Sequence, residues 1–468
     1  MPRALKTHSN NQSNAKKTIE VDWSFSKLKR KETLWGPHGY HRYPAKFIPQ
    51  LVRQLIEDYS TIDSFIGDPF VGSATTGIEA LRTGRRFWGA DINPVARLIS
   101  QAKCAPIDPQ LLNLSWKKLE KQLERLHRIG RRKLTQRDKK TILSIDIARA
   151  GSKERLVYWF PKAHSAILEK VLRPIRAMRN KDIRAFYLCA FSNILRSCSI
   201  WLSGSTKPQK DLDKILSDPV DAFRRQARDM IKRNKLYWDD LDRVNISPSE
   251  IAERFSIDLQ DARSLPLNRG QLDLIVTSPP YATCYQYLEL HQLTQLWFEK
   301  FGILGPVDLR HACIGGNKFS NRKETKNVIS TGSSSADRAL LKLTQKAKAE
   351  IASAVEQEIR ALRYYFRDMK DVITELARVL GIGKHLVLIV GDSIKRGIKI
   401  PTSDALHEIA TSSGFELERK IVRKVPVRVL VSTRDKKTGR FSSTQDSDTQ
   451  VYPEEDILIF KRIPTQGQ

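Results

Sequence analysis

The segment DLIVTSPPY at 273–281 constrains the fold more than any other part of the chain. Its apolar run Leu274–Val276 is typical of a buried strand, but two consecutive prolines follow almost at once. Because proline has a fixed φ and no backbone N–H, neither a sheet ladder nor an ordinary helix continues through them. The strand therefore ends there and presents Ser278 and Tyr281 at its carboxyl end, the edge where ligands bind in open α/β sheets.

Short apolar runs like this one recur along the chain and alternate with segments of helical periodicity. Residues 48–59 and 73–83 have the helical spacing. The expected strands are 64–66, 86–90, 255–257, 272–276, 385–390 and 457–460. This alternation predicts an α/β fold with a mostly parallel sheet and helices on both faces.

Residues 105–255 lack this strand rhythm and are helical by pattern. Between Trp116 and Lys140, eleven lysines and arginines face three acidic residues. An apolar stripe runs through the same segment at Trp116, Leu119, Leu123 and Leu126. We expect a helical insertion that packs on the sheet domain and shows a basic face, with a plain solvated helix face as the alternative.

The remaining organisation follows from composition along the chain. Residues 1–20 are expected to form a disordered leader, and the sheet domain is assigned to 21–104 and 256–468. A flexible loop is expected at 310–345, where Gly, Asn, Ser and Lys dominate, followed by a long helix or helical pair over 342–380. Residues 434–448 are expected to form an exposed connection.

The charge of the chain favours a polyanionic partner. Among 468 residues, 81 Lys and Arg outweigh 52 Asp and Glu, which gives a net charge of +29. Nucleic acid is the first candidate and an anionic membrane surface the second. No apolar run reaches the roughly 18 residues of a membrane span, and the polar N-terminus is not a secretory signal. Five scattered cysteines without a CxxC pair indicate a reduced, intracellular protein without structural zinc. We expect a cytoplasmic protein of prokaryotic type.

Two further stretches indicate a nucleoside-containing cofactor. Residues 68–76, DPFVGSATT, follow a strand and open a helix, so small residues and helix N–H groups lie near any ligand. Asp91 ends the next strand, where a carboxylate suits the two hydroxyls of a ribose. The alternatives are a plain strand-to-helix turn and a helix-capping aspartate. The loop has neither a Walker lysine nor a GxGxxG pattern, which disfavours ATP and dinucleotides.

Together these stretches give the sequence a resemblance to the amino-group DNA methyltransferases that use S-adenosylmethionine. In that family a D-P-F-x-G-S-G-T-T loop holds the methionine end of the cofactor, an acid after the next strand holds the ribose, and an [S/D/N]-P-P-[Y/F] turn holds the target amine. The resemblance covers about 30–105 and 256–300, and the C-terminal strands loosely. It implies a Rossmann-like methyltransferase fold. Ala74 stands where the family usually has glycine.

The resemblance also implies a set of site residues. The catalytic turn is Ser278, Pro279, Pro280 and Tyr281. The expected cofactor contacts are Tyr43, Pro44, Lys46 and Phe47 in HRYPAKF at 41–47, then Asp68, Pro69, Phe70, Gly72, Ser73, Thr75 and Thr76 in the loop, Asp91, and Asp261 for the adenine amine. No metal is expected. His38, His41, Glu289 and His291 are either acid/base groups or, as the preferred interpretation, packing residues beside the pocket.

The serine form of the turn is similar to the cytosine-N4 branch of the family, whereas the adenine-N6 branch more often has Asp or Asn there. Carbon-5 methylation needs a cysteine nucleophile, usually after proline, and the chain has no Pro-Cys; Cys284 lies beyond the turn. We therefore expect site-specific N4 methylation of cytosine in duplex DNA. The alternatives are adenine-N6 methylation, an RNA base-amine methyltransferase and a non-catalytic nucleic-acid binder. A cognate restriction endonuclease acting on the same site is a partner left open.

Overall fold

The structure is a computed structural model. It describes residues 23–43, 46–205, 208–244, 246–282, 287–305, 312–314, 330–347, 352–424, 433–434, 449–450 and 454–464. The expected leader at 1–20 lies outside these residues, as does most of the expected connection at 434–448.

A seven-stranded sheet forms the centre of the molecule, in the order β3-β2-β1-β4-β5-β11-β8. The first five strands in this order pair in parallel, and β11 runs antiparallel to both β5 and β8. The strands are β1 Phe65–Asp68, β2 Arg86–Asp91, β3 Phe255–Leu259, β4 Leu272–Thr277, β5 Leu380–Val390, β6 Ser393–Lys395, β7 Ile398–Ile400, β8 Phe415–Lys424, β9 Thr433–Arg434, β10 Thr449–Gln450 and β11 Glu454–Arg462. The predicted α/β class with a mostly parallel sheet is confirmed.

Helices surround this sheet and fill the interval between β2 and β3. They are α1 Arg30–Thr33, α2 Pro49–Tyr59, α3 Thr75–Arg82, α4 Pro94–Cys104, α5 Pro109–Glu124, α6 Gln136–Leu143, α7 Ser152–Trp159, α8 Lys162–Arg176, α9 Lys181–Ile194, α10 Pro219–Asp242, α11 Pro248–Arg254, α12 Tyr287–Leu290, α13 Gln292–Lys300, α14 Ser334–Ala347, α15 Ala352–Val379 and α16 Thr402–Ser412. A short 3-10 helix spans Gly36–Gly39.

The strand order creates one crevice that matters for the site. From β1 the sheet continues to β2 on one side and to β4 on the other. The carboxyl ends of these three parallel strands therefore meet at one edge, at the point where ligands bind in doubly wound folds. Asp68, Asp91 and Thr277 are the last residues of β1, β2 and β4, so they share that edge.

The helices α5–α11, between β2 and β3, form a region that packs onto the sheet side through aromatic residues. Trp159 and Trp201 stack with their ring centroids 5.1 Å apart. The ring of Phe191 lies 5.7 Å from that of Trp297, which belongs to α13 beyond the Ser278–Tyr281 turn. Burying these large rings together joins the helical region to the segment that follows β4.

Helices α4, α5 and α10 begin at residues that suit a helix N-terminus. The Asn93, Asp108 and Asp218 side chains accept hydrogen bonds from backbone N–H groups in the first turns of α4, α5 and α10, and proline follows each of them. This combination satisfies unpaired N–H groups and fixes φ at the first helical position. The basic segment after Trp116 is divided between α5, which ends at Glu124, and α6.

The expectation of a flexible loop over 310–345 was wrong for its last part, because α14 begins at Ser334. The Ser333 hydroxyl accepts a hydrogen bond from Ala336 N–H, which caps the helix start. Leu340 and Leu343 are buried in the core at helical spacing. The helical pair is thus α14 and α15 and starts earlier than expected, while 315–329 lies outside the described residues.

Candidate active site

The loop between β1 and α3 curls tightly enough to bring its backbone close to neighbouring groups. Gly72 has φ +45°, and a Cβ atom built on it would lie 3.3 Å from the Tyr43 hydroxyl. Ala74 is fully buried and also left-handed, with φ +56°. This conformation explains why glycine is usual at Ala74's position, since only glycine adopts it without steric cost.

Asp91 is directed back at this loop. Its Oδ2 accepts a hydrogen bond from Gly72 N–H at 3.1 Å, and Oδ1 accepts one from Asn93 N–H at 2.8 Å. Burial raises the pKa of Asp91 to about 6. The helix-capping alternative is wrong, because Asn93 rather than Asp91 caps α4, by accepting from Val95 N–H at 3.0 Å. The ribose contact of Asp91 stays a prediction.

Asp68 links the loop to the catalytic turn. The Thr277 hydroxyl, immediately before Ser278, donates to the Asp68 carboxylate at 2.7 Å. The Thr76 hydroxyl donates to the Val276 carbonyl at 3.2 Å. Asp68 is buried, and burial raises its pKa to about 7. The structure therefore gives Asp68 a contact with β4 that the sequence did not indicate.

The far side of the turn is held by residues from distant parts of the chain. The Tyr365 hydroxyl of α15 donates to the Pro280 carbonyl at 2.8 Å. The Tyr281 hydroxyl donates to Glu455 Oε1 of β11 at 3.1 Å. Arg423 of β8 donates to the other oxygen of Glu455 at 2.9 Å. Sequence patterns gave no signal for Tyr365, Glu455 or Arg423, because only the folded sheet brings them to the turn.

Between the hydrogen bonds at Thr277 and Pro280, the turn carries two hydrogen-bond acceptors to which no described residue donates. Ser278 is partly exposed, and its hydroxyl has no hydrogen-bond partner among the described residues. Within the same described part of the chain, the Pro279 carbonyl also lacks a donor. Two rigidly held acceptors just beyond the carboxyl end of β4 can accept hydrogen bonds from both N–H groups of a planar amine.

The element at 41–47 reaches the same crevice. Besides contacting the Gly72 position, the Tyr43 ring lies 5.1 Å from the His291 ring. Phe47 packs against the core beside the sheet, and Pro44 lies outside the described residues. In the cofactor loop, Pro69 and Thr75 are buried, while Phe70 packs against the neighbouring core cluster.

The histidines behave as packing residues in hydrogen-bonded positions. His38 Nε2 lies 2.7 Å from Glu79, and His41 Nε2 lies 2.9 Å from the Ser192 hydroxyl. His291 Nδ1 lies 3.0 Å from the Asn93 amide. Burial lowers the pKa of both His38 and His291 to about 4. Glu289 is exposed.

Two lysines near the loop are a feature that sequence reasoning missed in part. Lys103 of α4 is fully buried, and its ammonium donates to the Ser73 hydroxyl at 2.6 Å. Lys46 donates to the His38 carbonyl at 2.8 Å. Neither ammonium has a carboxylate partner among the described residues. Burial lowers the pKa of Lys103 to about 8. Burial also lowers the pKa of Lys46 to about 6, and repulsion by the Lys103 charge adds to this effect.

Asp261 lies two residues beyond the end of β3, and its neighbour Gln260 donates its backbone N–H to the Asp91 carbonyl, which places Asp261 near Asp91 along the sheet edge. Its two oxygens accept from Arg263, at 3.0 Å from Nε and 2.6 Å from Nη2. Arg263 also lies 3.3 Å from Asp368 of α15. The contact of Asp261 with an adenine amine stays a prediction, and Arg263 is a neighbour that the sequence did not indicate.

The described part of the chain contains no group of three or more His, Cys, Asp or Glu side chains arranged to hold a metal. Its four cysteines, Cys104, Cys189, Cys198 and Cys313, are free thiols. The helices described here include none long and apolar enough to cross a membrane.

Comparison with known proteins agrees with this geometry. The N6/N4 methyltransferase family model, described as DNA methylase, matches residues 2–102. The Type II methyltransferase M.MvaI from Kocuria varians is 25% identical over 431 residues, which cover 88% of this chain and 89% of the relative. The Type II methyltransferase M.MjaII from Methanocaldococcus jannaschii is 38% identical over 96 residues, or 20% of this chain and 18% of that one.

Among solved structures, a SAM-dependent methyltransferase from Methanosarcina mazei is matched over 88% of this chain and 98% of its own, at 9% identity and a TM-score of 0.27. That likeness is too low to add to the sequence matches. On those matches, the chain is similar to amino-group DNA methyltransferases in residues 2–102 and to a Type II methyltransferase over most of its length.

S-adenosylmethionine is the cofactor that the resemblance to these methyltransferases implies, and the residues present fit it. The close approach at Gly72 leaves no room for a Cβ atom without movement of Tyr43. The buried ammonium of Lys103 beside Ser73 lacks a carboxylate partner in the described chain, and the methionine part of the cofactor carries one. Asp91 offers carboxylate oxygens where ribose hydroxyls are expected.

Proposed function

We propose that this DNA methyltransferase acts on the exocyclic N4 amine of cytosine in a specific duplex sequence. The observation that carries the proposal is the pair of unused acceptors, Ser278 Oγ and the Pro279 carbonyl, on a turn fastened at Thr277 and Pro280. A serine at the first position of this turn is similar to the cytosine-N4 branch. A neutral hydroxyl also accepts an amine proton without placing a buried negative charge there.

The chemistry of the amine explains why two acceptors are needed. The lone pair of an exocyclic amine is delocalised into the ring, so the amine is a poor nucleophile. If Ser278 Oγ and the Pro279 carbonyl accept its two N–H bonds, the nitrogen moves towards tetrahedral geometry and its lone pair is released. S-adenosylmethionine supplies the electrophilic methyl group when it is bound. Positioning and electrostatics by the turn then do the catalytic work, without a covalent intermediate on the enzyme.

The target base must leave the duplex stack to reach this turn, which costs a few kcal/mol. We assign the Tyr281 ring to stack on the extruded base, which offsets about 1–3 kcal/mol. The bond from the Tyr281 hydroxyl to Glu455 supports this role, because it limits rotation of the ring. Arg423 in turn orients Glu455.

Cofactor binding is assigned to the residues around the loop. Asp91 is proposed to bind the ribose hydroxyls and Asp261 the adenine amine. Lys103, with Ser73, is proposed to bind the methionine carboxylate, and the pairing would satisfy a buried ammonium that has no acid in the described chain. Asp68 and Thr76 are proposed to keep the loop and the turn in register through their bonds to β4.

We assign DNA contacts to the helical region at 105–255. On α5, the exposed side chains of Lys117, Lys118 and Lys121 have no ion-pair partner in the described chain. The acid between them, Glu120, is instead held by Arg224 at 2.8 Å. Such a face suits phosphate contacts, which give affinity without sequence specificity. A restriction endonuclease that cuts the same sequence is the partner we include in the proposal.

The test is methyl transfer from labelled S-adenosylmethionine to duplex DNA from an unrelated organism, followed by nucleoside analysis. We expect the label in N4-methylcytosine. Label in N6-methyladenine would keep the family and the mechanism but contradict the choice of base. If the protein binds the cofactor but labels no DNA, and does label structured RNA, the duplex-DNA assignment is wrong.

A further inference from the structure

A cleft of about 270 Å³ lies between the helical region and the segment after the catalytic turn. One wall comes from the end of α9 and the residues that follow it, and the other from Leu290, His291 and α13. Its floor is buried, because Ser192, His41 and His291 are each less than a tenth exposed. The proposed function does not use this cleft.

The lining of the cleft is cationic and rich in donors. Arg42, Arg196 and Lys214 line it, and its lining in the described chain includes no carboxylate. Lys214 donates to the carbonyls of Arg196 and Trp201, and Arg196 donates to the Ser205 carbonyl, so these cations are oriented by neutral groups. Both keep further N–H groups, since an ammonium has three and a guanidinium five. Burial lowers the pKa of Arg196 to about 10, and the charge of Arg42 adds to this effect.

One buried polar atom on the floor also lacks a partner. His291 Nε2 is buried without a hydrogen bond in the described structure, while Nδ1 of the same ring lies beside the Asn93 amide. The His291 ring contacts Tyr43, which in turn lies against the cofactor loop at Gly72. The cleft therefore reaches to within one side chain of the cofactor loop, on the helical side.

We propose that this cleft binds a backbone phosphate of the substrate strand, next to the nucleotide that is turned out of the duplex. The inference rests on the proposed function. Neither Arg196 nor Lys214 has an acidic partner among the described residues, and a phosphodiester would supply that negative charge. Its oxygens accept hydrogen bonds from guanidinium and ammonium groups. Since the donors lie in a recess lined by buried side chains, a phosphate displaced from regular duplex geometry reaches them more readily than one in an intact helix.

The test compares two labelled 30-base-pair DNAs, one fully paired and one with a central three-nucleotide bubble, bound to the full chain between 50 and 200 mM KCl. We expect the wild-type protein to prefer the bubble. In Arg196→Gln, affinity for the bubble should fall about tenfold, as for loss of one charge-assisted hydrogen bond. The slope of log affinity against log salt should become shallower by about 0.9, the value for one lost phosphate contact.

Arg196 also lies over the Trp201 ring, with its guanidinium carbon 4.6 Å from the centroid, so its replacement can disturb packing. Arg42→Gln is the second variant, because Arg42 is exposed and its recorded bond to Asn193 uses only the backbone N–H. The matched control is Arg30→Gln, on exposed α1 outside the helical region assigned to DNA.

The outcomes separate this inference from the proposed function. If Arg196→Gln and Arg42→Gln bind both DNAs as the wild-type protein does, the phosphate site is wrong while methyl transfer stands. If Arg30→Gln lowers the slope as much as they do, general charge explains the effect and the cleft has no special role. If both cleft variants lose turnover but keep bubble affinity and slope, the cleft does not bind a phosphate and the inference is wrong.

Discussion

Two acids at the ends of the sheet strands, Asp68 and Asp91, and two cations in the cleft of the helical region, Arg196 and Lys214, lack a partner of opposite charge among the described residues. At the edge, Asp68 and Asp91 have no basic partner among the described residues and are held by hydroxyl and backbone N–H groups. Burial raises the pKa of Asp68 to about 7. In the cleft, Arg196 and Lys214 bind carbonyl oxygens, and burial lowers the pKa of Lys214 to about 8.

A charge that is buried, or partly buried, and has no partner lowers stability, so neither arrangement is explained by folding alone. The two regions differ in the ligand that would compensate them. The edge offers oxygens to hydroxyl and amine donors, as a ribose or a base amine requires. The cleft offers donors to anionic oxygens. The comparison supports the proposal that cofactor and base bind at the sheet edge and a phosphate on the helical side.

Glu79, in contrast, is fully paired. It is buried on α3, and its oxygens contact His38, Arg53 and Arg82 at 2.7–2.9 Å. Arg82 also reaches Asp240 of α10 at 2.6 Å, which joins the sheet side to the helical region. Burial alone would raise the pKa of Glu79, but the bond with His38 and the two arginine charges lower it to about 2.

The largest expected effect is on stability and follows from removing the charge of Glu79 from this ion-pair network. Glu79→Gln leaves Arg82 and Arg53 without their shared partner, so the free energy of unfolding should fall by about 3–5 kcal/mol. Chemical denaturation at pH 7 measures it. The control is Glu57→Gln on the exposed face of α2, which should change stability by no more than about 0.5 kcal/mol. If both variants change the free energy of unfolding by similar amounts, the ion pairs of Glu79 do not hold the two parts of the molecule together.

The pH dependence of stability sharpens the description of the sheet edge. The folded-state pKa of Asp68 lies above its unfolded value, because burial, and also the charge of Asp91, disfavour the carboxylate. Asp68 therefore makes its full contribution to the free energy of unfolding below about pH 4, and this contribution is lost as the pH rises through about 7. Asp68→Asn keeps an oxygen for Thr277 but does not titrate.

Relative to the wild-type protein, Asp68→Asn should therefore gain on the order of 3 kcal/mol of unfolding free energy between pH 5 and pH 8. Urea denaturation at both pH values measures the difference. Parallel pH profiles for the two proteins would show that Asp68 is not held as an unpaired buried acid.

The cofactor side can be tested with Lys103→Met, which separates binding from folding. Loss of a charge-assisted bond to a carboxylate costs about 1.5–3 kcal/mol, so S-adenosylmethionine affinity measured by calorimetry should fall roughly 10- to 150-fold. Because Lys103 is a buried charge without an acid in the described chain, the cofactor-free variant should unfold at the same or a higher temperature.

Lys117→Met on exposed α5 is the matched control and should leave both properties unchanged. A Lys103→Met protein that is less stable and binds the cofactor normally would show that Lys103 is a structural residue only.

The sequence predicted the central features of the fold because they depend on local patterns. The expected strand at 272–276 is β4, extended by one residue, and the helix at 48–59 is α2 without its first residue. Asp91 was placed at a strand end for the same reason. The helix α14 was missed at its start because 310–345 was read as one polar stretch, although Leu340 and Leu343 are spaced for a buried helix face.

What the sequence did not predict is long-range pairing. Glu455 meets Tyr281 only because β11 inserts antiparallel between β5 and β8, 174 residues further along the chain. Lys103 has no motif of its own; its only signal is a charged residue on an otherwise apolar helix face. The cleft is likewise assembled from the helical region and α13, and no single segment contains it.

The central claim is that Ser278 accepts a proton of the target amine on a turn held in place by the cofactor loop. The measurement that tests it most directly is the single-turnover rate of methyl transfer to DNA by Ser278→Ala, beside Ser264→Ala as an exposed control near the same edge. We expect a fall of about 10²–10³ in the rate for Ser278→Ala, as for loss of one transition-state hydrogen bond, with DNA and cofactor affinities unchanged. A rate equal to that of the control would contradict the account.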